Sequence, residues 1–460
     1  MFRLNRLAAV LASALIAPAC MAAISAEEAK QLGGDKLTAF GSEKAGNKEG
    51  TIPPYSGKAP KAPASYDTKT GFQRPDPYND KPLFTITAQN ADKYADHLDG
   101  MRELFTKYPA FKMDIYPSRR DYAYPKFVLD NTLKNATECK AIDKELKLAG
   151  CWGGFPFPIP KTGNEVMWNH LLQYGAYAYS GETEGGVTGT DGKFVLGARN
   201  TGHQQYDYYD PKATKPNATD AGFWKIRQNS TAPARQAGSI LVVDDNLDMV
   251  DKGRRAYQYI PGQRRVKLAP TLAYDTPNPN NGGVLTMDDS KGFLGALDRF
   301  NFKLVGKKEK FIMYNNFDLT NAKACSAEKA YNFKNFPNPE CVRWELHRVW
   351  QVEATLKEGF RHIYQKRVFF WDEDAPGAGV AENYDASGKL YRVVSNIVYP
   401  FYDSEPLLGG YTDSSVAMDL QTGIWSISGG MSHPNGGWVT AAPKDSRYYS
   451  PESMAGDGLR

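Results

Sequence analysis

Val342-Arg343-Trp344-Glu345-Leu346-His347-Arg348-Val349-Trp350-Gln351-Val352-Glu353-Ala354-Thr355-Leu356 alternates with a period of two. Trp344, Leu346, Trp350, Val352, Ala354 and Leu356 fall on one side of an extended chain. Arg343, Glu345, His347, Gln351, Glu353 and Thr355 fall on the other, which predicts one long strand with a dry and a wet face. Lys357-Glu358-Gly359-Phe360 reads as a turn, and 361–371 returns as the partner strand.

Outward from this hairpin the same pattern recurs. Residues 255–260, the turn Ile260-Pro261-Gly262-Gln263 and residues 264–268 form a second hairpin, with Pro and Gly where a type II turn wants them. Further strands are expected at 238–244, 302–305, 308–314, 389–398, 415–420 and 424–428. Strands joined by short turns make an antiparallel meander, and a twisted sheet of that width curls rather than staying flat. No internal repeat is visible, and the lack of βαβ alternation argues against Rossmann or TIM-type folds.

The N-terminal part is built differently. Arg3 and Arg6, an apolar run from Leu7 to Ala19 and small residues after it are the layout of a secretory signal peptide, with cleavage after Ala22. A lipoprotein reading with Cys20 acylated is the rival, although Ala17-Pro18-Ala19 is a poor context for it. Ser25-Ala26-Glu27-Glu28 is a capping-box pattern that opens a short helix over 26–32. Residues 41–80 are rich in Gly, Pro, Lys and Ser and read as an extended arm. Helical turns are expected from Thr87 to 98 and over 100–107. Gly153-Gly154-Phe155-Pro156-Phe157-Pro158-Ile159-Pro160 is a stiff strap, because alternate prolines fix φ, remove amide donors and leave Phe157 and Ile159 projecting. It leads into a helix capped by Asn164 and running to about Tyr174, and strap and helix together are the expected movable lid.

Composition narrows the function. A net charge of +4 on 460 residues argues against a dedicated nucleic-acid binder. Aromatics make up 12% of the chain, including 27 tyrosines, more than a core requires, so rings are expected on strands or a ligand surface. Past residue 22 no apolar run approaches the length of a spanning helix. Cys139, Cys151, Cys325 and Cys341 remain after the leader, and close spacing within each half favours Cys139 with Cys151 and Cys325 with Cys341. Zinc is the weaker alternative, since neither half has a Cys-x-x-Cys pair.

A resemblance runs in order through nearly the whole chain after the leader. Its carriers are Gly41-Ser42-Glu43-Lys44-Ala45-Gly46-Asn47 with Gly50-Thr51-Ile52-Pro53, Tyr116-Pro117-Ser118-Arg119-Arg120, the strap with Trp168-Asn169-His170, and Gly262-Gln263-Arg264-Arg265-Val266. Lys303-Leu304-Val305-Gly306-Lys307-Lys308-Glu309, Tyr314-Asn315-Asn316, Glu345 to Trp350 and Arg367 to Asp374 continue it. These resemble an uncharacterised exported Gram-negative family described as outer-membrane lipoprotein-sorting-like and similar in fold to LolA and LolB. The resemblance implies a mainly β protein: a strongly curved, unclosed antiparallel barrel covered by helices, sheltering acyl chains or similar molecules. It also implies an RND-type (MMPL-like) inner-membrane transporter and an outer-membrane protein as partners, and it carries over no catalytic residues.

The expected organisation is a signal peptide at 1–22, an N-terminal helix and arm at 23–80, and a LolA/LolB-like curved sheet with a helical lid at 81–460. The expected function is a periplasmic carrier of a lipid or other hydrophobic molecule, without cofactor or metal. A non-catalytic adaptor bridging transporter and outer membrane is the alternative, and an esterase the minor one. Residues assigned to the cavity are Phe157, Trp344, Leu346, Trp350 and Val352, with Arg348 either paired to a neighbouring carboxylate or facing an acidic headgroup. Glu345, His347 and Glu353 share a strand face that is solvated rather than metal-binding, and His170 is a packing residue. Asp244-Asp245-Asn246 with Asp248 lacks the glycine of a calcium loop and reads as a turn. Gly430-Met431-Ser432-His433-Pro434 is a poor nucleophile elbow, its last glycine replaced by Pro. Arg254, Arg255, Arg264, Arg265 and Lys267 flank one hairpin as a solvated sheet edge, or alternatively dock on an acidic membrane or transporter surface.

Overall fold

The computed structural model describes residues 24–67, 72–213, 222–269, 272 and 274–458; the expected leader and Cys20 lie outside them. In chain order the strands are β1 (Phe84–Ile86), β2 (Met113–Ile115), the small separate hairpin β3 (Lys140–Ile142) and β4 (Lys147–Ala149), β5 (Ala178–Thr188) and β6 (Phe194–Gln205). They continue with β7 (Gly222–Ala232), β8 (Ile240–Asn246), β9 (Arg254–Ile260), β10 (Arg265–Leu268), β11 (Phe300–Met313) and β12 (Trp344–Leu356). The last are β13 (Lys366–Asp372), β14 (Gly379–Tyr384), β15 (Leu390–Pro400), β16 (Gly410–Asp419), β17 (Trp425–Gly430) and β18 (Gly437–Thr440). One sheet runs β1-β2-β12-β13-β14-β15-β16-β17-β5-β6-β7-β8-β9-β10, with β11 added on β12 and β18 on β5. Its pairings are antiparallel except for a single parallel contact of Trp344 with Ile115.

The sheet has free ends and a strong curl. Asp288 and Asp289 bond Arg367 of β13, Lys291 pairs with Asp413 of β16, and the Leu294 carbonyl accepts from Arg254 of β9. The stretch from 288 to 294 spans at most about 24 Å even fully extended. Laid flat at about 4.8 Å per strand, the nine steps from β13 to β9 would cover roughly 43 Å. A short segment therefore touches both regions only because the sheet folds around it.

The outer face of β12 is covered along its first half, which overturns the expected wet face there, whereas toward the other end Gln351 and Glu353 are half-buried and Thr355 is exposed. Register places Trp350, Val352 and Ala354 opposite Trp371, Phe369 and Arg367, the face turned toward the enclosed segment 278–298. On the outer face the turns between Ala91 and Lys107 lie across β11 and β14: the Gly100 and Met101 amides donate to Glu382, and the Lys310 ammonium donates to the Leu98 carbonyl. Glu345 and His347, expected in solvent, are 0% and 1% exposed. At the far end the helix Pro451–Gly458 packs Met454 against Ile240, Val242 and Tyr259.

The strap and the helix after it are core. The helix spans Gly163–Leu171 with every residue buried, and its cap is Thr162, whose hydroxyl accepts from the Glu165 amide, rather than Asn164. Helical geometry starts two residues early because Thr162 is extended and Gly163 lies where a Cβ would meet the Phe302 backbone at 2.5 Å. The prolines leave the strap with few donors, and side-chain amides take over. Asn169 accepts from the Phe157 amide and donates to its carbonyl, while Asn135 donates to the carbonyls of Gly154 and Phe155. Strap and helix thus fill the trough instead of hinging over an empty one. Asn135 lies on the helix Lys126–Glu138, which periodicity misses because its buried stripe is Val128, Thr132, Asn135 and Ala136, half of it polar.

Other expectations hold or merge. Ser25 and Glu28 form the capping box of the helix Ala26–Ala29. Residues 302–305 and 308–314 form one strand, β11, bulged between Leu304 and Gly306. Cys139 is bonded to Cys151, and Cys325 to Cys341.

Candidate functional site

The six residues that periodicity assigns to a cavity do not converge on one. Phe157 and Val352 are buried in the main core, as is Trp344, and Trp350 packs under the Lys307 ammonium at 4.8 Å from the ring centre. Arg348 is paired: its Nε donates to Glu373 at 2.7 Å, and its Nη2 donates to the carbonyls of Glu43 and Ala45. Leu346 alone lines an open space.

Around Arg348 the extended arm is clamped to the sheet. Arg120 donates to both carboxylate oxygens of Asp374 at 2.6 and 2.9 Å and to the carbonyls of Glu43, Ala45 and Pro53. Burial pushes the Asp374 carboxyl up to about 6, against the pull of Arg120. One layer deeper, His347 lies 3.0 Å from Asp372 and 3.1 Å from Glu345, stacked on Tyr314. Burial alone would depress its pKa, but Asp372 and Glu345 outweigh burial and raise it to about 9. Arg343 and Asn315 bond the other Glu345 oxygen. These groups bond one another, and among the described residues no set of three or more His, Cys, Asp or Glu is arranged to hold a metal ion.

Ser432, the nucleophile of the esterase reading, is likewise committed elsewhere. The buried Ser432 hydroxyl donates to the Leu319 carbonyl at 2.6 Å. His170 faces the Pro376 and Phe293 carbonyls and stacks on Trp371 at 3.6 Å, and burial lowers its pKa to about 4 against those two carbonyls.

The apolar space lies where β1 and β2 meet β11 and β12. It is a groove of about 500 Å³ lined by Leu83, Phe84, Tyr94, Ile115, Phe311 and Leu346. Pairing of Phe84 with Ile115 and of Phe311 with Leu346 brings these side chains together from distant parts of the chain. Tyr94 stacks on Phe84 at 5.1 Å, and His97 stands edge-on to Phe311 while bonding the Glu309 carbonyl. Leu83 and Phe84 are 63% and 37% exposed, so this apolar surface is open to solvent. Glu49 and Thr51 of the arm, with His97, Tyr116, Ser118 and Glu309, supply the polar part of its lining. The inside of the trough, by contrast, holds a chamber of only about 130 Å³ between β5–β8 and the enclosed segment.

An open, curled antiparallel sheet plugged by its own strap and loops, with an apolar groove at one end, is the class of protein these features define. The chain belongs to the family described as protein of unknown function (DUF1329), whose model matches residues 85–455. It is 39% identical over 409 residues to Uncharacterized protein PA3922 of Pseudomonas aeruginosa, covering 86% of each chain. Among solved structures it is similar to a DUF1329 family protein from Desulfovibrio piger, at 12% identity and TM-score 0.39 over 61% of this chain and 92% of that one. A putative outer membrane lipoprotein-sorting protein domain from Vibrio parahaemolyticus gives 11% identity and TM-score 0.41, with 63% and 97% covered. A LolA superfamily protein, NE2245, from Nitrosomonas europaea gives 10% identity and TM-score 0.36, with 64% and 99% covered.

Proposed function

We propose that this protein is an exported, non-catalytic binding protein that holds a lipid acyl chain or a similar hydrophobic molecule in the groove between β1–β2 and β11–β12. The observation that supports this reading is the cluster of Leu83, Phe84, Tyr94, Ile115, Phe311 and Leu346 around about 500 Å³ of open space. That volume falls within the ordinary range of small-molecule sites, and exposed apolar surface of this kind marks binding. Burial of apolar area supplies the affinity, at about 25 cal/mol per Å² before the cost of ordering the guest. Glu49 and Glu309 are the acidic groups of the lining, so a zwitterionic or uncharged head is favoured over an anionic one. In this reading the protein works in the periplasm, between an RND-type transporter and an outer-membrane partner, by capture, shielding and hand-over.

The test is binding of N-phenyl-1-naphthylamine, followed by its fluorescence, and displacement by phosphatidylethanolamine. The wild-type protein is expected to bind the probe. Leu83→Asp, a change at an exposed position, should weaken binding about tenfold with no loss of thermal stability. A protein that binds neither probe nor lipid, and whose native mass spectrum carries no adduct, is instead the adaptor that bridges partners without cargo. The filled trough is the observation that favours this second reading.

A further inference from the structure

The small chamber inside the trough has a chemistry unlike that of the groove. One wall, from β7 and β8 with the covering loop, is apolar: Trp224, Ile226, Val243, Leu272 and Leu294. The other is polar but presents no unpaired charge. Lys291 pairs with Asp413 at 2.8 Å, Arg254 with Asp245 at 2.6 Å, and Glu184 with Arg199 at 2.9 Å. Glu184 and Arg199 are register partners, as are Thr183 and Asn200, so strand alternation turns the Glu184 side chain away from the face that carries Asn200. What remains toward the space is neutral and able to hydrogen-bond. The amides of Gln228 and Asn280 and the hydroxyl of Ser428 bond no other side chain among the described residues. Asn200 accepts from Ser230 and keeps its amide donors uncommitted.

We propose that this chamber is a second binding site, and that it takes a neutral ligand with a ring-sized apolar part and a hydroxyl-bearing polar part. Size sets the first half of the description. A cavity of about 130 Å³ is close to the roughly 150 Å³ that holds one benzene ring and far short of a lipid chain, so the ring alone is enclosed and the hydroxyl-bearing part sits at the partly exposed rim of Gln228, Asn280 and Ser428. Charge sets the second. A charged ligand entering here would be desolvated without a counter-ion, since every ionic group of the lining already has its own. Hydroxyl groups, which both donate and accept, match side-chain amides. Trp224 offers a flat face, although the Lys291 ammonium already sits 4.3 Å from its ring centre, so the ligand ring packs against Ile226 and Val243.

The experiment is isothermal titration of the full chain with phenyl β-D-glucoside, phenyl phosphate and 2-phenylethylamine, which share a ring and differ in charge. The glucoside is expected to bind at least tenfold more tightly than either charged compound. Ile226→Trp, which fills the chamber, should abolish this binding, whereas Leu83→Asp in the groove should leave it unchanged. Should Ile226→Trp fold poorly, Gln228→Leu on the partly exposed rim serves in its place, with an expected loss of five- to tenfold. Equal or tighter binding of a charged compound, absence of glucoside binding, or glucoside binding that survives both chamber variants each overturns the proposal. Because the groove is read out by a different probe and a different variant, failure here leaves the lipid-binding reading standing.

Discussion

His347 shows what a side chain does when a strand expected to face water is covered. Held between Asp372 and Glu345 and raised to about 9, it is the imidazolium of a buried three-residue network at neutral pH. Its folded-state pKa lies above the ordinary histidine value, so its contribution to stability is complete below about pH 6.5 and is lost as pH rises through about 9. Each tenfold gain in proton affinity on folding is worth about 1.4 kcal/mol, so that loss is on the order of 3 kcal/mol. Glu345 limits the acid side: burial would raise its pKa, but Arg343 and His347 hold it below the ordinary carboxylate value, so its contribution fades as pH falls through that lowered range. Urea unfolding of the wild type and of His347→Gln at pH 6 and pH 10 checks this. The variant should be much less stable at pH 6 and approach the wild type at pH 10, and a constant difference between the two would remove the role assigned to His347. The period-two alternation of 342–356 foretells the strand, but alternation reports only that two faces differ. It cannot distinguish water from a network of Arg343, Glu345, His347 and Asp372 as the partner of the polar face.

Among the elements, legibility follows the chemistry of the exposed alternation. β12, β13, β15 and the β9–β10 hairpin are rich in apolar and aromatic residues and are readable. β5, β6 and β7 are not: Ala178–Thr188 carries three glycines, and the inner positions of its neighbours include Asn200, Gln204 and Gln228. The chamber is built largely on those unread strands, and of the residues singled out from the sequence only Arg254 lines it. The groove is equally hard to see, since β1 and β2 are three residues each and gain meaning only from their pairing. Of its apolar lining only Phe311 and Leu346 stand on strands long enough to be recognised. The arm is the element with the clearest mechanical test. Arg348 and Arg120 hold the carbonyls of Glu43 and Ala45, so Arg348→Leu should cost about 1–3 kcal/mol and speed hydrogen exchange around residues 42–53. In that variant Arg120 and Lys307 still pair with Glu373, so its carboxylate is not left without a counter-ion. Exchange unchanged in the arm would show that the bonds from Arg120 and Ser42 suffice to secure it.

For the whole molecule, the cost of an unclosed sheet is a pair of open edges. At the β10 edge Arg264, Arg265 and Lys267 are exposed and make no ion pair among the described residues, beside Leu268 at 59% exposure. Unpaired cations on an edge strand repel the same edge of a second molecule. Replacing all three with Gln should leave stability within about 0.5 kcal/mol but promote concentration-dependent association in light scattering. A variant that stays monomeric would assign those charges to another task, such as contact with an acidic surface.

The clamp on the arm has a consequence for how the chain is made. The Ser42 hydroxyl donates to the Glu373 carbonyl across 331 residues of sequence. A polypeptide synthesised from its N-terminus therefore exposes residues 42–53 long before their binding site on β12 and β13 exists. Those residues must wait, solvated and unstructured, and become the closing stitch of maturation. In a refolding time course, where the whole chain is present from the start, the entropy of closing so long a loop predicts the same order, with protection of the arm appearing last, after the sheet has gathered around its filling.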